Sequence, residues 1–205
     1  MNCDGRTEMD RGVRESLVKS LEAVLMAADD GLTRDRLIEL MAEFGLPSAE
    51  DVDSALAVLV ARYADSAVQL LELAEGWQFQ VRADYSQVVA GLWEQKQPKP
   101  SRAMLETLAL ICYRQPVTRS EIERVRGVTV SSNIVRQLEQ YDWICVVGHR
   151  ELPGRPALYA TTQRFLSDHG MTSLDELPSL PALSEAEALD TAIAGLSSIA
   201  GKSGE

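Results

Sequence analysis

The chain has 205 residues, and its 20 lysine and arginine residues against 31 aspartate and glutamate residues give a formal net charge of −11 at pH 7. No apolar run approaches the roughly 18 to 20 residues that a membrane-spanning helix needs, and the polar segment 1–14 has no signal-peptide core. The three cysteines are widely separated and fit neither a disulfide framework nor a zinc site. These features predict a cytoplasmic chain of one or two small domains, and they argue against a membrane protein and an autonomous DNA-binding protein.

The first half of the chain predicts three helices followed by a β-hairpin. Residues 1–12 are polar and are predicted to be disordered. Apolar residues then recur at spacings of three and four in three segments, followed by two strand patterns and one more helical piece. In chain order these segments are 15–28, a helix from Thr33, 48–62, 68–74, 78–81 and about 85–94. Together they define a first domain over 13–95.

The second half repeats this order of elements with stronger signals. Gln115-Pro116 ends its first helix, because proline cannot continue a helix, and a capping box from Thr118 to Glu121 begins the second. Helices are predicted over 104–113, from Thr118 to about Gly127 and from about Ser131 to Tyr141, and strands over 144–147 and 157–160. Three helices and a β-hairpin indicate a winged helix. The expected fold is therefore mainly α (α+β), with two tandem winged-helix domains, each of three helices plus a β-hairpin wing.

The two halves align on Thr33-Arg34 and Thr118-Arg119, each at the start of a second helix. Residues 96–100 contain two prolines and no apolar side chain, which predicts a stiff linker before a second domain over 101–170. The remaining residues, 171–205, are predicted to be a largely disordered tail. A capping box at Ser184 and the apolar pattern after it also allow a short amphipathic helix that docks on a partner.

The sequence contains no motif of an active site: no glycine-rich phosphate loop, no HExxH and no paired Cys-x-x-Cys. His149 and His169 are interpreted as solvated or packing residues. Cys112 and Cys145 lie on apolar faces and are interpreted as small core residues. We therefore expect no enzymatic activity, no catalytic residue, no cofactor and no metal.

DNA binding is the alternative function, because the third helix of a winged helix commonly enters the major groove. In the second half that helix offers a single arginine, Arg136. In the first half the corresponding helix begins with Glu50, Asp51 and Asp53, whose carboxylates repel phosphate. The arginines of the second wing suit either DNA or the acidic groups of a protein partner. A winged-helix transcription regulator that binds DNA therefore stays the alternative.

Three stretches, 106–128, 146–162 and 165–180, closely resemble the segregation and condensation protein B family of bacterial chromosome-partition factors. The resemblance depends on five motifs and on their order along the chain: YRQP-x-TR-x-EIE, RGV, VG, PGRP-x-LY and SLDELP. Two features depart from the family pattern: the turn Tyr141-Asp142-Trp143 after the third helix, and Ala160 in place of a glycine before Thr-Thr.

The resemblance implies a homodimer, formed mainly through the first domain, that supports chromosome condensation and partition during cell division. It implies that the second domain binds the central segment of the kleisin subunit, segregation and condensation protein A. The SMC ATPase would then be reached only through the kleisin, and DNA at most weakly or indirectly. The expected location is the cytoplasm, in association with the nucleoid and not with a membrane.

Ten residues near the end of the first helix and in the wing of the second domain are candidate site residues. Those expected to bind a partner are Tyr113, Arg114, Gln115, Arg126, Arg150, Arg155 and Tyr159, and those expected to shape the wing are Pro153, Gly154 and Pro156. Gly154 is expected to supply a positive φ. Arg114 and Arg155 either tie the wing to the helices or hold the partner's backbone, and Tyr159 either packs inward or faces the partner. In the first domain, Leu70, Trp77, Phe79 and Trp93 either form the dimer contact or fill the core.

Overall fold

The structure, a computed structural model, describes residues 4–42, 47–92 and 100–177, with side chains from Arg14 onward. Within these ranges it is a mixed α+β protein with eight α-helices and two small antiparallel sheets. The backbone divides into two compact units, Met1–Tyr85 and Ser86–Glu205. Most of the predicted linker, Trp93, and the predicted tail from 178 onward with its helix pattern at Ser184 lie outside the described residues.

The first unit contains three helices and a hairpin, as predicted from its sequence. Its elements are α1 (Asp4–Ala27), α2 (Arg34–Ala42), α3 (Ala49–Arg62), β1 (Val68–Leu73) and β2 (Gly76–Val81), with a 3₁₀ turn at Ala83–Tyr85. Strands β1 and β2 pair antiparallel, from Val68 opposite Val81 to Leu73 opposite Gly76. A capping box begins α3: the Asp51 carboxylate accepts from the Ser48 N–H at 3.0 Å, and the Ser48 hydroxyl accepts from the Asp51 N–H at 3.2 Å.

A single residue before α2 extends the sheet of the first unit. The Leu32 N–H donates to the Trp77 carbonyl at 3.0 Å, and the Trp77 N–H donates to the Leu32 carbonyl at 2.8 Å. Gly76 permits this approach, because it takes a φ of +123° and a Cβ there would lie within 3.0 Å of the backbone of Leu32 and Thr33. The hairpin is therefore held to the beginning of α2.

The core of the first unit lies between the three helices and one face of the hairpin. Its buried side chains are Val18, Leu21, Leu25, Leu37, Met41, Val52, Ala55, Leu56, Leu59 and Leu70. Trp77 and Phe79 are half-buried against this cluster, and the Phe79 ring meets the Tyr63 ring edge to face at 4.8 Å. Leu70 thus belongs to the core, while Trp77 and Phe79 keep part of their surface exposed.

Helix α1 extends further toward the N-terminus than the sequence pattern indicates. The backbone of 4–12 continues the helix, whereas the polar composition of 1–12 predicts disorder. Residues 4–14 include no proline to interrupt the helix, which continues through Gly5 and Gly12 although glycine is a poor helix former.

The second unit adds short elements that the sequence patterns do not predict. Its elements are α4 (Ser86–Ala90), α5 (Arg102–Arg114), β3 (Val117–Thr118), α6 (Arg119–Arg126), α7 (Ser132–Gln140), β4 (Ile144–His149), β5 (Ala157–Thr161), α8 (Gln163–Asp168) and a 3₁₀ turn at Leu174–Glu176. The strands form one antiparallel sheet in the order β3-β5-β4. The two-residue β3 and the six-residue α8 are too short to give a periodic signal, so only their neighbours are predicted.

The core of the second unit is made by α5, α6 and α7 together with β4 and α8. Its fully buried large side chains are Leu108, Ile111, Ile122, Leu138, Ile144, Phe165 and Met171. Met171 belongs to the segment predicted as a disordered tail, yet its N–H donates to the Leu166 carbonyl at 2.8 Å and its side chain fills the core. The ordered fold therefore continues past 170.

Two residues of the predicted elements of this unit, Tyr141 and Cys145, are exposed and do not belong to its core. Cys112 is buried in α5 as predicted, but Cys145 faces solvent, because Ile144 points into the core and side chains alternate along β4. Tyr141 is the last residue of the third helix pattern and lies at the C-terminal cap of α7. Its ring is exposed and stacks at a tilt on Trp143, with ring centroids 5.0 Å apart.

Candidate partner-binding surface

A cleft of about 390 Å³ lies between the end of α5, helix α6 and the β4–β5 loop. Its floor is apolar and its rim is charged, with three arginines and one glutamate. The floor residues are Leu110, Pro116, Val117, Ile122 and Val125, and the rim residues are Arg114, Glu121, Arg124 and Arg150. Two of the predicted partner-binding residues, Arg114 and Arg150, therefore lie on one surface, which we call the arginine cleft.

An ion pair joins the β4–β5 loop to α6 across the cleft. The Arg150 Nη2 donates to Glu121 Oε1 at 2.7 Å, and the Arg150 N–H donates to the Pro156 carbonyl at 2.9 Å. The side chain of Arg150 remains 46% exposed. Arg150 thus ties the wing to the helices, a role that the sequence suggests for Arg114 and Arg155.

Glu121 has a second set of partners at the start of α6. Its Oε2 accepts from the Thr118 N–H at 2.8 Å and from the Thr118 hydroxyl at 2.9 Å, which completes the predicted capping box. The backbone hydrogen bond from Thr118 lowers the pKa of Glu121 to about 2, and the Thr118 hydroxyl and Arg150 add to this effect against the opposing effect of burial. Glu121 is therefore an ionised acceptor on the rim.

The tip of the wing is a turn that contains the three predicted wing residues. Gly154 has a φ of +85°, which confirms the positive φ expected there, and Arg155 also lies in the left-handed region with a φ of 38°. The Arg155 N–H donates to the Leu152 carbonyl at 2.8 Å. Pro153 precedes Gly154 in the turn, and the Pro156 carbonyl closes the turn onto Arg150. Arg155 is exposed at this tip and does not line the cleft.

Two of the predicted partner-binding side chains have partners inside the second unit. The Gln115 Oε1 accepts from the Thr161 N–H at 2.6 Å and from the Thr161 hydroxyl at 3.0 Å, which ties the end of α5 to β5. The Arg126 side chain is only 6% exposed, and its Nη2 donates to Glu106 Oε2 at 2.7 Å. Its Nη1 donates to the Thr107 hydroxyl at 3.2 Å. Both side chains thus hold elements of the unit together.

The two predicted tyrosines are half-buried. Tyr159 lies on the central strand β5, opposite Val117 of β3 and Val146 of β4. Tyr113 lies one residue before the end of α5. Burial raises the pKa of both phenols, so both rings carry their protons at neutral pH. Each phenol hydroxyl therefore keeps a proton that it can donate, but neither tyrosine lines the arginine cleft.

Glu121 and Arg124 line the cleft but are not among the predicted partner-binding residues. Glu121 was identified only as a capping residue, and Arg124 follows it by three positions, which places the two side chains on one face of α6. That spacing was the available signal. Arg119, at the start of α6, reaches the other way: it pairs with Glu123 at 3.1 Å and donates to the Ser132 hydroxyl of α7 at 2.9 Å.

In the part of the chain that the structure describes, no three His, Cys, Asp or Glu side chains are grouped so that they could hold a metal ion. His169 is buried, with Nδ1 2.8 Å from the Phe165 carbonyl, and its ring packs on Trp143 and Phe165. Among the described helices, none combines the length and the apolar composition that a membrane span requires.

The sequence of the chain matches the model of one known protein family. The sequence model of the family described as segregation and condensation complex subunit ScpB matches residues 19–180, which cover most of both units. The chain belongs to the ScpB family. The family confirms the resemblance that the motifs of the second half carry, and it associates this ScpB-family chain with chromosome partition, chromosome condensation and the SMC complex.

Individual relatives agree with this assignment. The chain is 45% identical over 170 residues to the segregation and condensation protein B homolog of Coxiella burnetii, covering 83% of this chain and 81% of that protein. It is 36% identical over 176 residues to segregation and condensation protein B of Bacillus subtilis, covering 82% and 85%. The crystal structure of ScpB from Mycobacterium tuberculosis has 34% sequence identity over 78% of this chain and 98% of that chain. Its TM-score is 0.36, too low for the superposition to bear on the fold.

Proposed function

We propose that this ScpB-family chain is a non-enzymatic accessory subunit of a bacterial SMC complex. It forms a homodimer, mainly through the first unit, and binds the central segment of the kleisin subunit through the second. It supports chromosome condensation and partition during cell division in the cytoplasm, at the nucleoid, and it reaches the SMC ATPase only through the kleisin. The observation that carries this proposal is the family match over 19–180.

The proposal includes a winged helix in each unit, and equivalent contacts in the two units support it. In the first unit Leu32 pairs with Trp77 of β2, and in the second β3 pairs with β5, so in both cases the segment just before the second helix joins the last strand of the hairpin. The arginine at the start of the second helix, Arg34 in α2 and Arg119 in α6, also has an equivalent role in the two units. Arg34 binds both carboxylate oxygens of Asp53 on α3, and Arg119 binds the Ser132 hydroxyl on α7.

The charges on the third helices favour a protein partner over DNA. Helix α3 begins with Glu50 and Asp51, and Asp51 is ionised because its hydrogen bonds with Ser48 lower its pKa. Helix α7 carries one arginine, Arg136. An element that reads the major groove needs several cations toward phosphate, which neither helix offers. The arginines of the second unit instead surround a cleft with an apolar floor.

The test is to mix the full chain with the kleisin encoded in the same genome and to measure masses by light scattering after gel filtration. We expect the chain alone to elute at twice its mass of 22.5 kDa, and the mixture to contain a larger complex with the kleisin. A monomer that ignores the kleisin at micromolar concentration would contradict the proposal. A salt-dependent, sequence-selective shift of duplex DNA by the chain alone would favour the transcription regulator instead.

A further inference from the structure

We propose that the arginine cleft binds an acidic segment of the partner chain. Carboxylates of this segment bind the rim arginines, and one of its apolar side chains lies on the floor of the cleft. This inference rests on the proposed function, because the partner is the kleisin subunit, and it adds the place and the chemistry of the contact.

The rim of the cleft carries an excess of positive charge. Three guanidinium groups, of Arg114, Arg124 and Arg150, and one carboxylate, that of Glu121, line the cleft. Glu121 already pairs with Arg150. Arg124 is exposed and forms no hydrogen bond or ion pair within the part of the chain that the structure describes. Guanidinium groups bind carboxylates through two parallel hydrogen bonds, so the rim selects acidic side chains.

The floor gives the cleft a preference for a peptide over a free anion. Pro116 is exposed and Val125 is half-buried, whereas Leu110, Val117 and Ile122 are buried beneath them. A small apolar side chain of the partner therefore finds an apolar contact between the arginines. The same arrangement is found in protein interfaces where arginine and buried apolar side chains contribute most of the binding free energy.

The walls of the cleft are rigid before the partner arrives. The capping box of Thr118 and Glu121 fixes the start of α6, and the hydrogen bonds of Gln115 to Thr161 fix the end of α5. A preformed site orders little on binding and loses little conformational entropy. The cleft therefore needs only side-chain adjustment to accept a segment.

Arg150 is the side chain that adjusts. It binds Glu121 through Oε1 alone, while Oε2 is held by two groups of Thr118. When a partner carboxylate binds Arg150, Glu121 keeps its two Thr118 hydrogen bonds and α6 keeps its cap. The exchange therefore leaves no buried charge without a partner, and it requires no movement of the wing backbone.

The experiment compares two charge reversals, Arg124→Glu in the cleft and Arg136→Glu on α7. Both arginines are exposed on helices of the same unit, and Arg136 does not line the cleft. Binding of the full-length kleisin is measured by titration calorimetry for the full-length wild-type chain and both variants. We expect Arg124→Glu to weaken binding about tenfold and Arg136→Glu to change it less than about twofold, because only the first reverses a contact charge. Each variant places a second carboxylate three positions from an existing one, Glu121 in α6 or Glu139 in α7, so both unfolding midpoints should fall by a similar small amount.

A cross-linking measurement identifies the chemistry of the bound segment. A photoreactive amino acid at position 124 should capture a kleisin peptide that carries at least two carboxylates, whereas capture of a basic or uncharged segment overturns the proposal.

Equal kleisin binding by wild type and Arg124→Glu, or equal weakening by both reversals, overturns the cleft as the binding site but leaves the proposed function standing. A wild-type chain that does not bind the kleisin defeats both. Capture of DNA in place of a peptide also overturns the inference.

Discussion

Arg126 donates from Nη2 to Glu106 Oε2 at 2.7 Å, and this ion pair joins the end of α6 to the first half of α5. The Arg126 side chain is 6% exposed, so nearly all of its guanidinium lies inside the second unit. Glu106 also accepts from Arg102 at 3.0 Å. Burial opposes ionisation of Glu106, but the hydrogen bonds from Arg102 and Arg126 outweigh it and hold its pKa below the ordinary value.

The substitution Glu106→Gln should destabilise the second unit by about 3 kcal/mol, because it leaves the buried charge of Arg126 without a counter-charge. Chemical denaturation followed by circular dichroism measures the loss. The control is Arg102→Gln, which removes the other cation from the same carboxylate. The Arg102 side chain is 73% exposed, so its loss should cost less than about 1 kcal/mol. Equal losses in the two variants would show that the burial of Arg126 is not the source of the effect.

Glu121 should give the second unit a distinct dependence of stability on pH. Its pKa is about 2 in the folded chain against an ordinary value of 4.5, so the unfolded chain takes up the proton first as pH falls. The stabilisation is complete above pH 4.5 and is lost as pH falls toward about 2. Glu121→Gln should therefore flatten the free energy of unfolding between pH 5 and pH 3, measured by urea denaturation. Arg136→Gln, which removes an exposed charge of α7 and leaves every carboxylate in place, should keep the wild-type slope.

Features set by neighbours along the chain could be predicted from sequence. The capping boxes at Ser48 and Thr118 and the positive φ of Gly154 are of this kind, because each depends on residues two or three positions away. The order of helices and strands in the two units also follows from local periodicity. The family could be predicted as well, since its motifs lie in the second unit.

Features set by distant contacts could not be predicted in the same way. Arg126 meets a carboxylate twenty positions away, and the wing reaches α6 through Arg150 and Glu121, twenty-nine positions apart. Local patterns therefore predict that Arg126 and Gln115 bind a partner, although both side chains form hydrogen bonds within the second unit. Cys145 illustrates the same limit. Side chains alternate along β4, so either Ile144 or Cys145 faces the core, and the sequence does not say which face of the strand that is.

His169 should lower the stability of the second unit below neutral pH. The residue is 5% exposed, and burial lowers the pKa of its imidazole from the ordinary 6.5, although the Phe165 carbonyl and the Asp168 carboxylate act in the opposite direction. The folded chain therefore keeps the ring neutral at a pH where the unfolded chain protonates it. His169 contributes no pH dependence well above 6.5, and stability falls as pH falls below 6.5.

Two measurements check the role of His169. The ring proton resonances in an NMR titration should show a midpoint below 6.5, assigned by their disappearance in His169→Phe. The same variant should reduce the loss of unfolding free energy between pH 7.5 and pH 5.5, because phenylalanine carries no titrating group. A wild-type midpoint at or above 6.5 would contradict the expected effect of burial.

Gly76 and Gly154 test how much each turn depends on glycine, since both have a positive φ but different surroundings. A Cβ at Gly76 would overlap the backbone of Leu32 and Thr33, whereas a Cβ at Gly154 meets nothing within 4 Å. Gly154→Ala should therefore cost only the backbone strain of a left-handed alanine, about 1 kcal/mol. Gly76→Ala should add the overlap with the backbone and cost about 3 kcal/mol or more in the first unit. Urea denaturation measures both losses, and the exchange protection of the Leu32 and Trp77 amides should fall in Gly76→Ala alone. If the two substitutions cost the same, the pairing of Leu32 with β2 is not what requires glycine at position 76.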